Sequence, residues 1–261
     1  MPPETSDKSP KMSREDIERY ARHLVLKEIG GPGQNKLLGT RIAIVGAGGL
    51  GGPAALYAAA AGIGHITIID HDEVDLSNLQ RQIQFTQNDI GAPKAEQLAS
   101  ALSAINASIT VKAEPVRLTD ENAQKLLGGH DLIMDGTDDF AVRFIINKTS
   151  RHLNIPLISG ALGRFDGQVG LFNATPDAPC YQCFVPDSPP DAQTCAAVGV
   201  VGALAGIIGS MMALEAVKHI TGAGESLSGS LYLYDGLQSK GRRIGLPKDP
   251  DCPLCGSDNK I

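Results

Sequence analysis

Tryptophan is absent from the sequence, and all aromatics together make up only 4% of it. Thirty glycines stand in their place. Small residues in such number favour close helix–sheet packing and backbone that comes near a ligand. An excess of basic charge is also missing. The formal net charge is −6, which argues against a nucleic-acid partner, because phosphate binding needs a basic surface. The opening stretch "MPPETSDKSPKMSRED" has no apolar core. It is not a signal peptide and reads as a disordered lead-in over residues 1–11. Internal repeats are absent. One uncharged run, "AAVGVVGALAGIIGSMMAL", has the length of a membrane span. It is rich in Gly and Ala and is followed at once by Glu215. Gly199, Gly202, Gly206 and Gly209 recur in it at helical spacing, so it reads as a buried helix with one bare face. A soluble, cytoplasmic protein with no membrane partner is expected.

What is present is an α/β pattern. "RIAIVGAG" is an apolar, β-branched run that ends in glycines, as a buried parallel strand does. A helix of small residues, "GLGGPAALYAAAAGIG", and a second strand, "HITIID", complete a βαβ unit. Further helices are expected in "APKAEQLASALSAIN", "DENAQKLLGG" and "FAVRFIINKTSRHLN". Further strands are expected in "SITVKAEPV", "DLIMDGTDD" and "IPLISGAL". The period then changes. "FDGQVGLFNA" and "GSLYLYDGL" alternate, which suits antiparallel strands. The expected fold is α/β, a Rossmann-like, doubly wound, mostly parallel sheet with an antiparallel extension. Residues 12–261 read as one domain, with a nucleotide-binding part at about 40–160 and a second part at about 165–261.

"GAGGLG" places Gly46, Gly48 and Gly51 in G-x-G-x-x-G between a strand and a helix. The first glycine permits the turn, the second lets amides approach phosphate, and the third lets helix and strand pack closely. The helix N-terminus adds the positive end of its dipole. Asp70 ends the next strand, where an acid takes ribose hydroxyls. NAD is the default ligand for such a unit, and an NAD-dependent oxidoreductase is the alternative from another enzyme class. The six histidines, however, are scattered and offer no proton-handling group for a hydride acceptor. The stretch after Asp70 supplies donors instead: Asn78, Gln80, Arg81 and Gln82, with Lys94 further on. Arg is a fixed fork for phosphate oxygens and Lys a mobile point charge. "DLIMDGTDDF" ends a strand with Asp135, Asp138 and Asp139 directed outward. A carboxylate beside a polyphosphate holds Mg²⁺, and Asp138 is the expected ligand. Asp139 is expected to cap the following helix. These residues together point to a ligand with three phosphates.

The five cysteines include two C-x2-C pairs, Cys180 with Cys183 and Cys252 with Cys255. Two such pairs supply a tetrahedral thiolate set for structural Zn²⁺ that pins the tail to the body. The competing reading is two redox or disulfide pairs. Cys195 is left over in a Pro/Asp/Ser-rich loop. It is either a nucleophile at a helix N-terminus or a small buried thiol. The loop at about 186–194 is expected to be mobile.

In order, "RYARHLVL", "GAGGLG", "DLSNLQRQ", "GAPKAE", "DGTDD", "CYQC", "TCAAVGVVG" and "CPLC" resemble one family along nearly the whole chain. It comprises the MoeB/ThiF-type adenylyltransferases that activate ubiquitin-like sulfur carriers. The resemblance implies that Mg·ATP is bound and that the C-terminal Gly-Gly carboxylate of a small β-grasp carrier attacks the α-phosphorus. Pyrophosphate leaves and an acyl-adenylate remains for a separate sulfur donor, a sulfurtransferase or desulfurase. Gly49 would lie against the nucleotide and Asp70 against the ribose. Asn78, Arg81 and Lys94 would grip the phosphates, and Asp138 would hold Mg²⁺. Arg22 would reach the phosphates of the neighbouring subunit, so a homodimer is implied. The four paired cysteines match the family's zinc ligands. Adenylation is expected without Cys195. The molybdopterin branch is favoured over the thiamine branch on "RYARHLVLKEIGGPGQ" and "CPLCG". Where the family often has Asp-Asn, this chain has Asp138 and Asp139. A non-catalytic, zinc-stapled binding module is disfavoured because it needs no phosphate grip.

Overall fold

The structure is a computed structural model that describes residues 12–188 and 199–256. The lead-in over 1–11, Cys195 and most of the 186–194 loop lie outside the described residues. Eight strands form one sheet in the order β3-β2-β1-β4-β5-β6-β7-β8. β1 (Arg41–Val45), β2 (His65–Ile69), β3 (Thr110–Glu114), β4 (Leu132–Asp135) and β5 (Leu157–Gly163) are parallel. β6 (Asp166–Phe172), β7 (Ser230–Asp235) and β8 (Lys240–Gly245) extend the sheet antiparallel to β5 and to one another.

Around β1 both faces of the sheet are covered, which is why its sequence is apolar without interruption. Ile42 and Ile44 enter one core, whereas Ala43 and Val45 enter the other. Three helices precede β1: α1 (Arg14–Arg19), α2 (Ala21–Leu24) and α3 (Gly30–Gly39). α4 (Gly51–Ala60) and α5 (Lys94–Ile105) close the first core, and α6 (Asp120–Leu127) and α7 (Phe140–Leu153) the second. The connection after β6 carries α8 (Gly202–Thr221), which packs on α4, β5 and β6.

α8 is long and apolar enough to cross a membrane, with a mean hydropathy of 1.3. Here it buries Leu204, Ala205, Ile208, Met212, Ala213 and Ala216 against the core. Full burial of side chains such as Ile208 and Met212 contributes about 1.5–3 kcal/mol each. The glycine face differs in part from the spacing argument. A β-carbon on Gly209 would strike the Leu50 carbonyl, 2.6 Å away, so this glycine does let α8 close on α4. Gly206 faces open space, and Gly199 lies before the helix with φ +78°.

Candidate active site

Between β1 and β4 the strand order reverses, and a crevice opens beyond the carboxyl ends of the strands, where ligands bind in such sheets. A cavity of about 570 Å³ lies there. Its lining brings together Gly46, Gly48, Gly49, Asp70, Asn78, Arg81, Lys94 and Asp138. Gly46 has φ +91°, and a β-carbon on it would press on the Gly136 peptide at 3.1 Å. Gly51 lies outside the lining and inside the core. A β-carbon there would collide with the Gly46 carbonyl, so its role is packing.

The turn is held by two side chains. Asp70 accepts the Ala47 amide at 2.7 Å and the Asp72 amide at 2.8 Å. Burial pushes the Asp70 carboxyl above its usual range, although these two amides pull it back. Gln84 donates through Nε2 to the carbonyls of Ala47 at 2.7 Å and Gly48 at 3.2 Å. In a trans peptide, C=O and the next N–H point opposite ways. With these carbonyls captured by Gln84, which lies outside the cavity lining, the amides of Gly48 and Gly49 are turned away from Gln84.

Three cationic or donor side chains come from the connection after β2. Lys94 begins α5, is nearly buried, and donates to Asp72 at 2.9 Å. Burial alone would raise the Asp72 carboxyl, but the bond and charge of Lys94 outweigh it and hold it below its ordinary value. Arg81 bonds the Ser77 carbonyl at 3.1 Å, and Asn78 accepts from the Asp75 amide at 3.2 Å. Asp70, His71 and Asp72 form a close trio. Their oxygens are already engaged by amides and by Lys94, so the trio is not a convincing metal site.

The aspartates after β4 divide. Asp138 is exposed and lines the cavity. Asp139 caps α7 by accepting the Ala141 amide at 2.8 Å, and it lies 3.4 Å from Arg117. Asp135 does not point outward as expected. It is buried, and accepts from Ser159 Oγ at 2.8 Å and Thr137 Oγ1 at 2.7 Å. The reason is Arg143, which the sequence analysis missed. Arg143 is buried on α7, 3.4 Å from Asp135. It donates to Ser159 at 3.0 Å, to the Gly160 carbonyl at 2.7 Å and to the Thr137 carbonyl. Its guanidinium also lies 5.9 Å from the ring centre of Tyr181. The available signal was one arginine amid the apolar residues of "FAVRFII".

Arg22 is not among the lining residues. It lies exposed on α2. Its neighbours are fastened inward. Tyr20 is buried and accepts from Asn106 at 2.8 Å. His23 and Gln34 bond at 2.9 Å.

The four paired cysteines meet, all as free thiols. Sγ separations are 3.5 Å for Cys180–Cys252, 3.4 Å for Cys183–Cys255 and 4.0 Å for Cys180–Cys183. Four sulfurs about 2.3 Å from a tetrahedral zinc ion stand about 3.8 Å apart, so the set fits that ion. Burial, then the neighbouring sulfurs, pushes Cys180 far up, and burial leads the rise of Cys183 to about 11. Cys255 moves down despite burial, through hydrogen bonds from the other thiols. Four thiolates in this space require a cation.

The sequence matches the ThiF family over residues 20–254. A sulfur carrier protein adenylyltransferase from Thermus thermophilus is 40% identical over 252 residues, covering 94% of this chain and 93% of its own. A SAMP-activating enzyme E1 from Haloferax volcanii is 39% identical, covering 92% and 89%. An adenylyltransferase and sulfurtransferase MOCS3 from Aedes aegypti is 43% identical over 95% of this chain but 57% of its own length. Among solved structures, E. coli MccB with MccA has a TM-score of 0.80 at 21% identity, covering 94% of this chain and 75% of that one. That likeness speaks to the fold alone. On the match across residues 20–254 and these identities, the chain belongs to the ThiF family.

Proposed function

We propose that this adenylyltransferase forms an acyl-adenylate on the C-terminal Gly-Gly carboxylate of a ubiquitin-like sulfur carrier protein, with release of pyrophosphate from ATP. The observation that carries the reading is one cavity that unites a phosphate-type glycine turn with Asn78, Arg81, Lys94 and Asp138. The names of the Thermus and Haloferax relatives support the reaction class. The molybdopterin-synthase carrier is favoured over the thiamine carrier on "RYARHLVLKEIGGPGQ" and "CPLCG". A separate protein supplies the sulfur, and the enzyme works in the cytoplasm.

The attacking carboxylate is ionised at neutral pH, so no general base is needed. The chain's task is positioning and charge stabilisation. Gly48 and Gly49 amides receive phosphoryl oxygens, Arg81 and Lys94 neutralise them, and Asp70 holds the ribose. Lys94 exchanges its bond to Asp72 for one to phosphate. Asp138 would hold Mg²⁺, which supplies charge neutralisation between phosphates. Cys180, Cys183, Cys252 and Cys255 would hold Zn²⁺, which ties the tail to the body. Arg22, presented outward by the fastened Tyr20 and His23, completes the site of a second protomer in a homodimer.

The lining of two cavities supports a route for the carrier. A second, more open cavity lies over β6–β8, and it shares Ala161, Leu162 and Gln168 with the first. A globular carrier on the antiparallel strands can thus thread its tail toward the glycine turn. Titration calorimetry with ATP and with NAD tests the ligand. ATP binding and carrier-dependent pyrophosphate–ATP exchange are expected. Binding of NAD in place of ATP would overturn the reading.

A further inference from the structure

Among the described residues, four buried side-chain oxygens lack a hydrogen-bond partner: those of Asn35, Gln82, Gln84 and Asn173. Of these residues, Gln82 alone lines the nucleotide cavity. Gln82 is 4% exposed, and its Oε1 has no hydrogen-bond partner among the described residues. Such an acceptor is costly to leave unpaired, and its position inside a ligand cavity points to a donor on the ligand.

Two contacts locate the carboxamide. A β-carbon on Gly48 would lie 3.5 Å from Gln82 Nε2, so one end stands at the phosphate turn. The segment that carries Gln82 packs on the start of α8. A β-carbon on Gly202 would meet Arg81 Cα at 3.2 Å. α8 in turn packs on β5 and β6. The segment that carries Gln82 thus lies against the start of α8, whereas Asp70 follows β2 and Lys94 begins α5. ATP's own donors, on ribose and adenine, belong with Asp70, and the phosphates at the glycine turn offer no N–H, whereas a peptide tail offers one per residue. Of the two ends of the carboxamide, it is the acceptor that lacks a partner.

We propose that Gln82 is a binding residue for the incoming carrier tail, its Oε1 accepting a tail peptide N–H while Nε2 lies at the phosphate turn. This rests on the function proposed above. The test uses the whole enzyme, ATP, and a recombinant β-grasp carrier ending in Gly-Gly. The carrier is also made by semisynthesis with its last two peptide nitrogens methylated. Gln82→Met is expected to raise the carrier KM in pyrophosphate exchange about tenfold and to leave the Kd for ATP within about twofold. The methylated tail should cost wild-type enzyme a similar factor and cost Gln82→Met nothing further. An unchanged carrier KM, an equal rise in ATP Kd, or losses that multiply independently would overturn the assignment. The methylated tail probes the same bond on unmutated enzyme, so a variant that does not fold leaves the assignment refutable. Wild-type enzyme that binds no ATP refutes the nucleotide reading itself. Wild type that binds and turns over, beside an unaltered Gln82→Met, refutes this assignment alone.

Discussion

From β1 to β5 and from β6 to the tail, the chain joins its parts by different means. In the parallel half the residues that line the crevice lie on connections that follow strands, and the strand order brings those connections together. The antiparallel half is closed by sulfurs from segments 72 residues apart. Packing and backbone turns set the first geometry, whereas the second depends on whatever holds four thiols together. Activity and stability should therefore separate between the halves.

The largest effects test the first half. Arg81→Ala and Arg22→Ala are expected to lower pyrophosphate exchange by about 10³-fold or more, on the scale of arginines at transferring phosphates. Both side chains lie away from the core, so melting temperatures should stay near wild type. Mixing the two inactive variants should restore part of the exchange, because one site of a mixed dimer regains both arginines. No recovery on mixing would remove the trans role of Arg22.

Cys252→Ser tests the second half. Bound zinc measured by mass spectrometry should fall from one per chain to none, and the melting temperature by roughly 10–20 °C. Among the described residues no cysteine lines the nucleotide cavity, so ATP affinity should move far less. Equal loss of both properties would show that the halves are one unit.

Arg143 sits on the seam, between the Thr137 carbonyl and the ring of Tyr181. Arg143→Met leaves Asp135 buried without its cation. Breaking such a pair costs about 3 kcal/mol or more, or roughly 6–12 °C for a chain of this size. Arg143→Met should also weaken Mg²⁺-dependent exchange, because the loop that carries Asp138 loses its anchor.

The same contrast governs what could be read from the sequence. Strands β1, β2, β4 and β5 are legible because buried parallel strands are continuous apolar runs that lead into glycine or aspartate, whereas β3, "TVKAE", lies at the sheet edge with no buried residue. Arg81, Lys94 and Asp138 are legible as donors and acceptors at fixed distances from the glycine turn. β8, "KGRRIG", is not legible, since all six residues are exposed and pairing with β7 alone makes it a strand. α3 is rich in glycine with one proline, against helix propensity, and burial of Gln34 and Leu37 holds it in place. Asp135, Arg143 and Gln84 act through partners far off in sequence. Their directions follow only from the folded arrangement, and so Asp135 was expected to face outward.

The smallest effect concerns two neighbours in sequence. Asp138 and Asp139 are adjacent carboxylates with separate tasks, and only the first is free of the helix it precedes. Asp139 spends one oxygen on the Ala141 amide, and Asn caps a helix about as well as Asp. Its pair with Arg117 is long and solvent-exposed, a geometry that contributes about 0–1 kcal/mol. Asp139→Asn should therefore change stability by no more than about 0.5 kcal/mol and leave the Mg²⁺ dependence of exchange intact. Asp138→Asn removes the charge that would face the metal, and should shift half-saturation by Mg²⁺ upward by about tenfold or more. If Asp139→Asn instead tightens ATP binding severalfold, the second carboxylate is felt by the phosphates, and its helix-capping bond has not withdrawn it from the site.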